Sequence, residues 1–239
     1  MTDELAEFLL PRPPTAARPL LGLTVLVVED SRFACEAMRL LCLRSGARIR
    51  RADCLRSARR HLQVYRPAVA IVDIGLPDGS GTDLIRDLAT ASPRVQVLLG
   101  TSGDDSRAAD VLQAGADGFL PKPIESLSLF QQSILAHLPH GARPSGLRLL
   151  PDDRVTPDPI ALRDDLTLVA DLLAARIDPK TLDYVAGFLS GIARSAHDTP
   201  LQNAATALAH SRALGIEPRP DISRITDLVQ NRLTSGAAF

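Results

Sequence analysis

The chain has 239 residues, of which 45% are hydrophobic and 23% charged, and its formal net charge is −1. This composition is ordinary for a folded globular protein, and the length allows one large or two modest hydrophobic cores. The near-zero charge excludes a general electrostatic attraction to nucleic acid or anionic lipid, although it is compatible with a local basic patch. No apolar run approaches the ~20 residues that span a bilayer and the N-terminus is acidic, so we expect a cytoplasmic protein that does not enter a membrane.

The cysteines give no sign of a disulfide framework or a zinc site. Cys35, Cys42 and Cys54 are odd in number and form no CxxC pair, whereas both kinds of site require paired or clustered thiols. We expect these residues to be small buried hydrophobic side chains.

Proline density and hydrophobic periodicity divide the first part of the chain at about residue 20. Residues 1–20 contain four prolines, which disfavour a regular helix or central strand and predict a flexible leader. Over residues 21–138 five apolar runs alternate with amphipathic helical stretches; the runs are LTVLVVED, ARIRRA, VAIVD, VQVLLGT and DGFL. Because parallel strands need crossover connections, this alternation predicts a parallel sheet covered by helices on both faces.

The second part of the chain is predicted to be entirely helical. Residues 139–159 hold five prolines and two glycines, the composition of a semi-rigid linker. Beyond it the apolar residues recur with helical spacing only, which predicts helices near 160–177, 179–195, 200–214 and 221–234 in a small all-α module at 160–235. Asp178-Pro179 and Thr199-Pro200 are typical helix starts, and Gly215 suits a helix end.

Acidic residues follow two strands that we expect to be neighbours in the sheet. Glu29 and Asp30 come after the first strand and Asp73 ends the third. Clustered carboxylates repel one another, so this group predicts a site for a hard dication, and oxygen ligands suit Mg²⁺. Lys122 and Thr101 fall at the same edge, where an ammonium and a hydroxyl group could contact phosphoryl oxygens while Asp73 acts as the nucleophile.

Four segments, VLVVEDS, IVDIGLPDGSG, LLGTSG and GADGFLPKP, resemble in order and spacing the receiver domains of two-component response regulators. The resemblance covers about half of the chain and implies a flavodoxin-like, doubly wound (βα)5 domain with a five-stranded parallel sheet. It implies a cis bond between Lys122 and Pro123. The roles that it implies are metal binding by Glu29 and Asp30, phosphoryl acceptance by Asp73, a backbone carbonyl ligand from Gly75, a switch hydroxyl at Thr101, a switch aromatic at Phe119 and phosphoryl contact by Lys122.

The resemblance also implies a mechanism. A histidine kinase or phosphotransfer protein would donate a phosphoryl group to Asp73 in the presence of Mg²⁺, and the chain would be a signalling phosphoacceptor rather than an enzyme acting on another substrate. Thr101 would then move toward the phosphoryl group and let Phe119 rotate, which reshapes a partner-binding face. Because Gly75 and Gly103 carry no side chains, we expect water to reach the phosphoryl group easily and the phosphorylated lifetime to be short.

The function of the helical module is open at this point. Residues 151–239 carry nine basic and twelve acidic residues, which disfavours a DNA-reading helix, since phosphate contacts supply much of such affinity. His197 and His210 lack the small neighbours of a phosphotransfer histidine, and no motif of an enzymatic output domain is present. We favour dimerisation or binding of a protein partner over a transcription regulator with an atypical DNA-binding domain. The distribution of seven arginines discriminates the two outputs. If they cluster on one exposed face, they favour DNA binding, and if they are scattered among acids, they favour a protein partner. They are Arg163, Arg176, Arg194, Arg212, Arg219, Arg224 and Arg232.

Overall fold

The computed structural model describes residues 13–144, 150–175 and 178–235. Its main sheet has five parallel strands in the order β2-β1-β3-β4-β5, which confirms the predicted flavodoxin-like fold class. The strands are β1 (Thr24–Val28), β2 (Arg48–Ala52), β3 (Val69–Asp73), β4 (Val97–Ser102) and β5 (Gly118–Pro121). A two-residue hairpin, Gly75–Leu76 paired with Gly79–Ser80, follows β3 and was not predicted.

Helices cover both faces of this sheet, and the sheet separates two hydrophobic cores. One core lies under α1 and α5 and includes Met38, Leu41 and Phe130, and the other lies under α2, α3 and α4 and includes Leu84 and Val111. The helices are α1 (Arg32–Ser45), α2 (Leu55–Val64), α3 (Gly81–Thr90), α4 (Ala108–Gln113) and α5 (Leu127–Leu135). Strands β1, β3 and β4 are buried almost throughout because they are covered from both sides.

Four further helices form the predicted helical module: α6 (Pro159–Ala174), α7 (Pro179–Ser195), α8 (Thr199–Ala213) and α9 (Arg219–Thr234). Helix α6 ends at Ala174 because Ala175 is extended, and residues 176–177 of the predicted helix lie outside the described residues. Asp178 caps α7 as predicted. The cap of α8 is Asp198 rather than Thr199, because the Asp198 carboxylate accepts from the Leu201 amide and also binds Arg232. Gly215 follows α8 with a positive φ of 67°.

The helical module packs on the α/β domain as well as on itself. Its core contains Val185, Leu189 and Leu208, and it also includes Phe33 from the first turn of α1. The region between the domains contacts the α/β domain too, since the Val155 amide donates to the Glu125 carbonyl and Val155 is buried. The two domains therefore share a continuous apolar contact, while the exact domain boundaries stay predictions. Among the described residues, none of the helices is long and apolar enough to span a bilayer.

Candidate functional site

The predicted acidic residues meet at the carboxyl ends of β1 and β3. One carboxylate oxygen each of Glu29, Asp30 and Asp73 lies within 4.8 Å of the other two. β1 pairs with β3 in parallel, so the residues that follow the two strands project from the same edge of the sheet. Glu29 and Asp73 are buried, whereas Asp30 is partly exposed. The adjacent residues Glu29 and Asp30 and the distant residue Asp73 thus form one compact acidic group.

Lys122 supplies the positive charge of this group. Its Nζ lies 2.6 Å from Oδ2 of Asp73 and 2.7 Å from Oε2 of Glu29, and all three side chains are buried. Burial alone would lower the pKa of Lys122, but the carboxylates of Asp73 and Glu29 overcome this effect and raise it. The side chain is therefore a permanent cation at neutral pH. The Lys122–Pro123 peptide bond is cis, as the resemblance implied.

The acidic group fits a hard dication. Burial raises the pKa of Glu29 despite the opposing charge of Lys122, and burial together with the charge of Asp73 raises the pKa of Asp30 to about 7. Three carboxylates also share one ammonium, so the charge of Lys122 does not neutralise the site fully. Oδ1 of Asp30 is also buried without a hydrogen-bond partner among the described residues. An oxygen-lined, under-neutralised site of this kind suits Mg²⁺.

Of the remaining predicted residues, Thr101 and Gly75 lie beside Asp73. Thr101 is its register partner on β4, and the Thr101 hydroxyl donates to the Leu120 carbonyl at 2.7 Å. Gly75 lies beside Asp73, because its amide donates to Asp73 Oδ1 at 3.1 Å. Phe119 is partly buried against the core under α2, α3 and α4. The structure brings all seven predicted residues to one end of the sheet, while their roles stay predictions.

The segment that carries this arrangement matches a known family. Residues 25–133 match the response regulator receiver domain. This part of the chain is a receiver domain. The chain is 31% identical over 153 residues to the KDP operon transcriptional regulatory protein KdpE of Escherichia coli. The aligned residues are 64% of this chain and 62% of KdpE. It is 33% identical over 114 residues to the virulence transcriptional regulatory protein PhoP of Salmonella typhimurium, 46% of this chain and 51% of PhoP.

Solved structures of a response regulator and of a receiver domain resemble about half of the chain. A putative response regulator of Chloroflexus aurantiacus is 28% identical with a TM-score of 0.44, over 48% of this chain and 98% of that one. The receiver domain of a Syntrophus aciditrophicus histidine kinase is 24% identical with a TM-score of 0.46, over 54% and 98%. The chain spans between half and two thirds of the length of KdpE and PhoP.

The helical module docks directly over the receiver site. Asp165 of α6 is buried at the N-terminus of α1, where it accepts from the Ser31 hydroxyl at 2.7 Å and the Arg32 and Phe33 amides at 2.9 and 3.1 Å. The first-turn amides of a helix have no intrahelical partner, and a carboxylate there also interacts favourably with the helix dipole. Asp165 therefore joins the two domains and adds to the local cap, in which the Ser31 hydroxyl oxygen accepts from the Ala34 amide.

Helix α7 crosses the site itself. A Cβ atom built on Gly103 would lie 3.0 Å from Gly191 Cα, so the backbone of α7 packs closely against Gly103 and leaves little room for a side chain there. Arg194 donates to the Gly103 carbonyl and pairs with Asp105 at 3.1 Å. Gly103 is thus in contact with α7, and its missing side chain accommodates this helix, while Gly103 also lines the cleft that leads to Asp73.

A cleft of about 620 Å³ stays open between the receiver domain and the module. Its inner wall includes Asp73 and Lys122, and its outer wall includes Gly187, Gln202 and Thr206 of α7 and α8. Thr206 is exposed, so the cleft reaches the surface at this rim. A small molecule could therefore approach Asp73 while α7 is docked.

Sequence reasoning missed the residues that the module contributes, above all Tyr184. Its hydroxyl donates to Oδ2 of Asp30 at 2.7 Å, and burial together with the Asp30 charge raises the pKa of Tyr184. Tyr184 and Asp165 each lie within an amphipathic helix, and no motif distinguishes them from ordinary interface residues. The position of Asp165 between apolar neighbours Leu162 and Leu166 was the one available signal that this acid faces inward.

Proposed function

We propose that the chain is a two-component response regulator in which Asp73 accepts a phosphoryl group from a sensor histidine kinase or a phosphotransfer protein. The observation that carries this proposal is the convergence of Glu29, Asp30, Asp73 and Lys122 at one end of a receiver sheet. In this account Glu29, Asp30, Asp73 and the backbone carbonyl of Gly75 hold Mg²⁺. The chain is then a phosphoacceptor rather than an enzyme acting on another substrate.

The chemistry is an in-line displacement at phosphorus. A carboxylate oxygen of Asp73 attacks, the bond from phosphorus to the donor nitrogen breaks, and the electron pair of that bond stays on the donor. Mg²⁺, when bound, would offset the charge that the phosphoryl group adds to the carboxylates. Lys122 stays protonated and contacts a phosphoryl oxygen, while Glu29 holds the ammonium in place through its 2.7 Å ion pair.

Thr101 and Phe119 transmit the change in this proposal. The Thr101 hydroxyl, which donates to the Leu120 carbonyl, would turn toward the new phosphoryl oxygens. Leu120 directly follows Phe119 on β5, so the loss of that hydrogen bond would act on the strand that carries the switch aromatic. The expected result is a two-state repacking of β5 and its neighbours.

The helical module is proposed to bind a protein partner or a second copy of the chain. Four of the seven basic residues that were to discriminate the two outputs pair with acids, and Arg176 lies outside the described residues. The pairs are Arg194 with Asp105, Arg212 with Asp183, Arg219 with Glu217 and Arg232 with Asp198. Such pairs leave less positive charge for phosphate contacts.

A second candidate is a phosphorylation-dependent transcription regulator. It is favoured by the names of KdpE and PhoP, both of which are transcriptional regulatory proteins. Fluorescence anisotropy with a labelled duplex of mixed sequence, at increasing salt and with or without beryllofluoride, tests it. Salt-dependent binding that beryllofluoride strengthens would favour this candidate over protein interaction.

The main proposal is tested by incubating the purified chain with Mg²⁺ and acetyl phosphate and recording the intact mass. We expect the wild type to gain the mass of one phosphoryl group, hydroxylamine to remove it, and EDTA to prevent it. Asp73→Asn should gain nothing. Asp83→Asn is the matched control, because Asp83 lies on the exposed face of α3 and pairs only with Arg86.

Light scattering on the same samples after size-exclusion chromatography tests the output. A change from monomer to dimer on phosphorylation would assign the module to dimerisation, and phosphorylation without such a change would indicate a separate partner. The absence of any phosphoryl adduct in the wild type, or an equal adduct in Asp73→Asn, would contradict the proposed function.

A further inference from the structure

Tyr184 brings the helical module into contact with the acidic site. Its hydroxyl donates to Oδ2 of Asp30 at 2.7 Å, across 154 positions of sequence. Its ring is stacked on Phe188 one turn further along α7, with centroids 5.4 Å apart. Stacking on Phe188 therefore restricts the Tyr184 side chain and fixes the position of its hydroxyl group.

The hydrogen bond leaves the other oxygen of Asp30 free for a metal. Oδ1 is buried and has no hydrogen-bond partner among the described residues. Carboxylates that bind metals are commonly held by a hydrogen bond to their second oxygen, which fixes the orientation of the first. Tyr184 makes this kind of contact, although it belongs to a different domain from the carboxylate.

We propose that Tyr184 is a positioning residue for the metal site of the receiver domain, so that Mg²⁺ binding and docking of the helical module favour each other. This inference rests on the proposed function, which supplies the metal. Linkage requires reciprocity: the factor by which docking tightens Mg²⁺ binding is the factor by which Mg²⁺ tightens docking. The helical module is then a part of the site and not only a reader of it.

The opposite coupling is also conceivable, with Tyr184 and the metal competing for Asp30, and the geometry argues against it. The hydroxyl occupies one oxygen, while the unpartnered oxygen is the buried one. Docking of the module also has anchors apart from Tyr184, including Asp165 at the start of α1 and Arg194 at Gly103. Removal of the hydroxyl group should thus leave the module docked and expose the effect on Asp30 alone.

The test is a Mg²⁺ titration of the full chain by isothermal calorimetry, with Tyr184→Phe compared with wild type. We expect Tyr184→Phe to bind Mg²⁺ about 10-fold more weakly, in the range seen for outer-shell partners of metal ligands. Tyr65→Phe is the matched control, since Tyr65 follows α2 and contacts His61, and it should bind Mg²⁺ like the wild type. Equal or tighter binding by Tyr184→Phe would overturn the inference.

Fluorescence gives a second readout that does not depend on affinity alone. The chain has two tyrosines and no tryptophan. In the Tyr65→Phe variant, Tyr184 is therefore the sole source of tyrosine fluorescence. Its emission should change with Mg²⁺ at the midpoint found by calorimetry. An emission that stays constant through saturation would contradict the contact between Tyr184 and the metal ligand.

Asp165→Ala tests the linkage through another contact. It keeps all three acidic residues of the proposed metal site and should loosen the module, so it should also weaken Mg²⁺ binding, whereas competition predicts tighter binding. Failure of this inference differs from failure of the proposed function. If Asp73 is phosphorylated with Mg²⁺ but Tyr184→Phe has no effect, only the positioning role is wrong; if the wild type neither binds Mg²⁺ nor accepts a phosphoryl group, the proposed function is wrong.

Discussion

Among single residues, Lys122 makes the strongest electrostatic contribution to the site. Its ammonium forms ion pairs with two buried carboxylates, those of Asp73 and Glu29. Removal of one partner from a buried pair leaves an uncompensated charge, which costs several kcal/mol. Repulsion among the carboxylates of Glu29, Asp30 and Asp73 also means that a bound dication would stabilise the site.

We therefore predict that Lys122→Met lowers the free energy of unfolding by about 3 kcal/mol and that Mg²⁺ restores part of the loss. Urea denaturation with and without Mg²⁺ measures both effects. Lys180→Met is the control, because Lys180 is exposed at the start of α7, and it should change stability little. A Lys122→Met chain as stable as wild type in EDTA would contradict the ion-pair geometry.

The cysteines give an independent residue-scale prediction. Burial raises the pKa of Cys35 and of Cys42 to about 12, whereas Cys54 is only half-buried. The thiolate is the reactive form, so Ellman's reagent at about pH 8 should modify one thiol of the native chain and all three after denaturation. Cys54→Ser should abolish the native reaction, and rapid modification of a second thiol in wild type would show that the core is more open than described.

At the level of elements, the start of α1 depends on a residue from another helix. Asp165 accepts three hydrogen bonds at this helix end, one from the Ser31 hydroxyl and two from backbone amides. Its neighbour Asp164 makes an exposed pair with Arg32 at 2.6 Å. Two adjacent acids on α6 thus contact the same turn in different environments.

This difference predicts unequal effects of two alanine substitutions. Asp165→Ala should lower the free energy of unfolding by about 2 kcal/mol, since it leaves buried donors unpaired, while Asp164→Ala should change it by less than about 1 kcal/mol, as is typical of exposed pairs. Hydrogen exchange should accelerate at the Arg32 and Phe33 amides in Asp165→Ala only. Equal exchange in both variants would mean that the module does not cap α1.

The elements themselves could be predicted, because each rests on a local signal. The alternation of short apolar runs with helical stretches gave the five strands, helical periodicity gave the four helices of the module, and strand ends gave the acidic group. The hairpin at Gly75–Leu76 was missed because two-residue strands have no periodicity. The cap of α8 was placed at Thr199 rather than Asp198 because both residues are good caps and tertiary pairing with Arg232 decides between them.

For the whole molecule, the arrangement of the two domains could not be predicted. Helical spacing shows which residues of α7 face inward, but not which surface they cover. Phe33 illustrates the limit: it has helical spacing with Ala37 and Leu41, which pack in the core under α1 and α5, yet Phe33 packs in the core of the helical module. The contact between Tyr184 and Asp30 depends on that docking and has no local signal.

Phe33 also makes the stability of the two domains interdependent. Phe33→Ala should cost about 3 kcal/mol and create a cavity between the domains. We predict that wild type unfolds in a single calorimetric transition, and that Phe33→Ala shows two because the shared core is interrupted. Leu129→Ala is the control, since Leu129 is 62% exposed on α5. Two separate transitions in wild type would contradict the shared core.

The central claim, that Asp73 is the phosphoacceptor, is tested most directly by locating the phosphoryl group within the chain. Acyl phosphates are reduced by borohydride, so an aspartyl phosphate formed with Mg²⁺ and acetyl phosphate is converted to homoserine, which peptide mass mapping identifies. The account predicts homoserine at position 73 and at no other carboxylate. Homoserine at Asp30, at an exposed acid, or at no position after complete peptide coverage would contradict it.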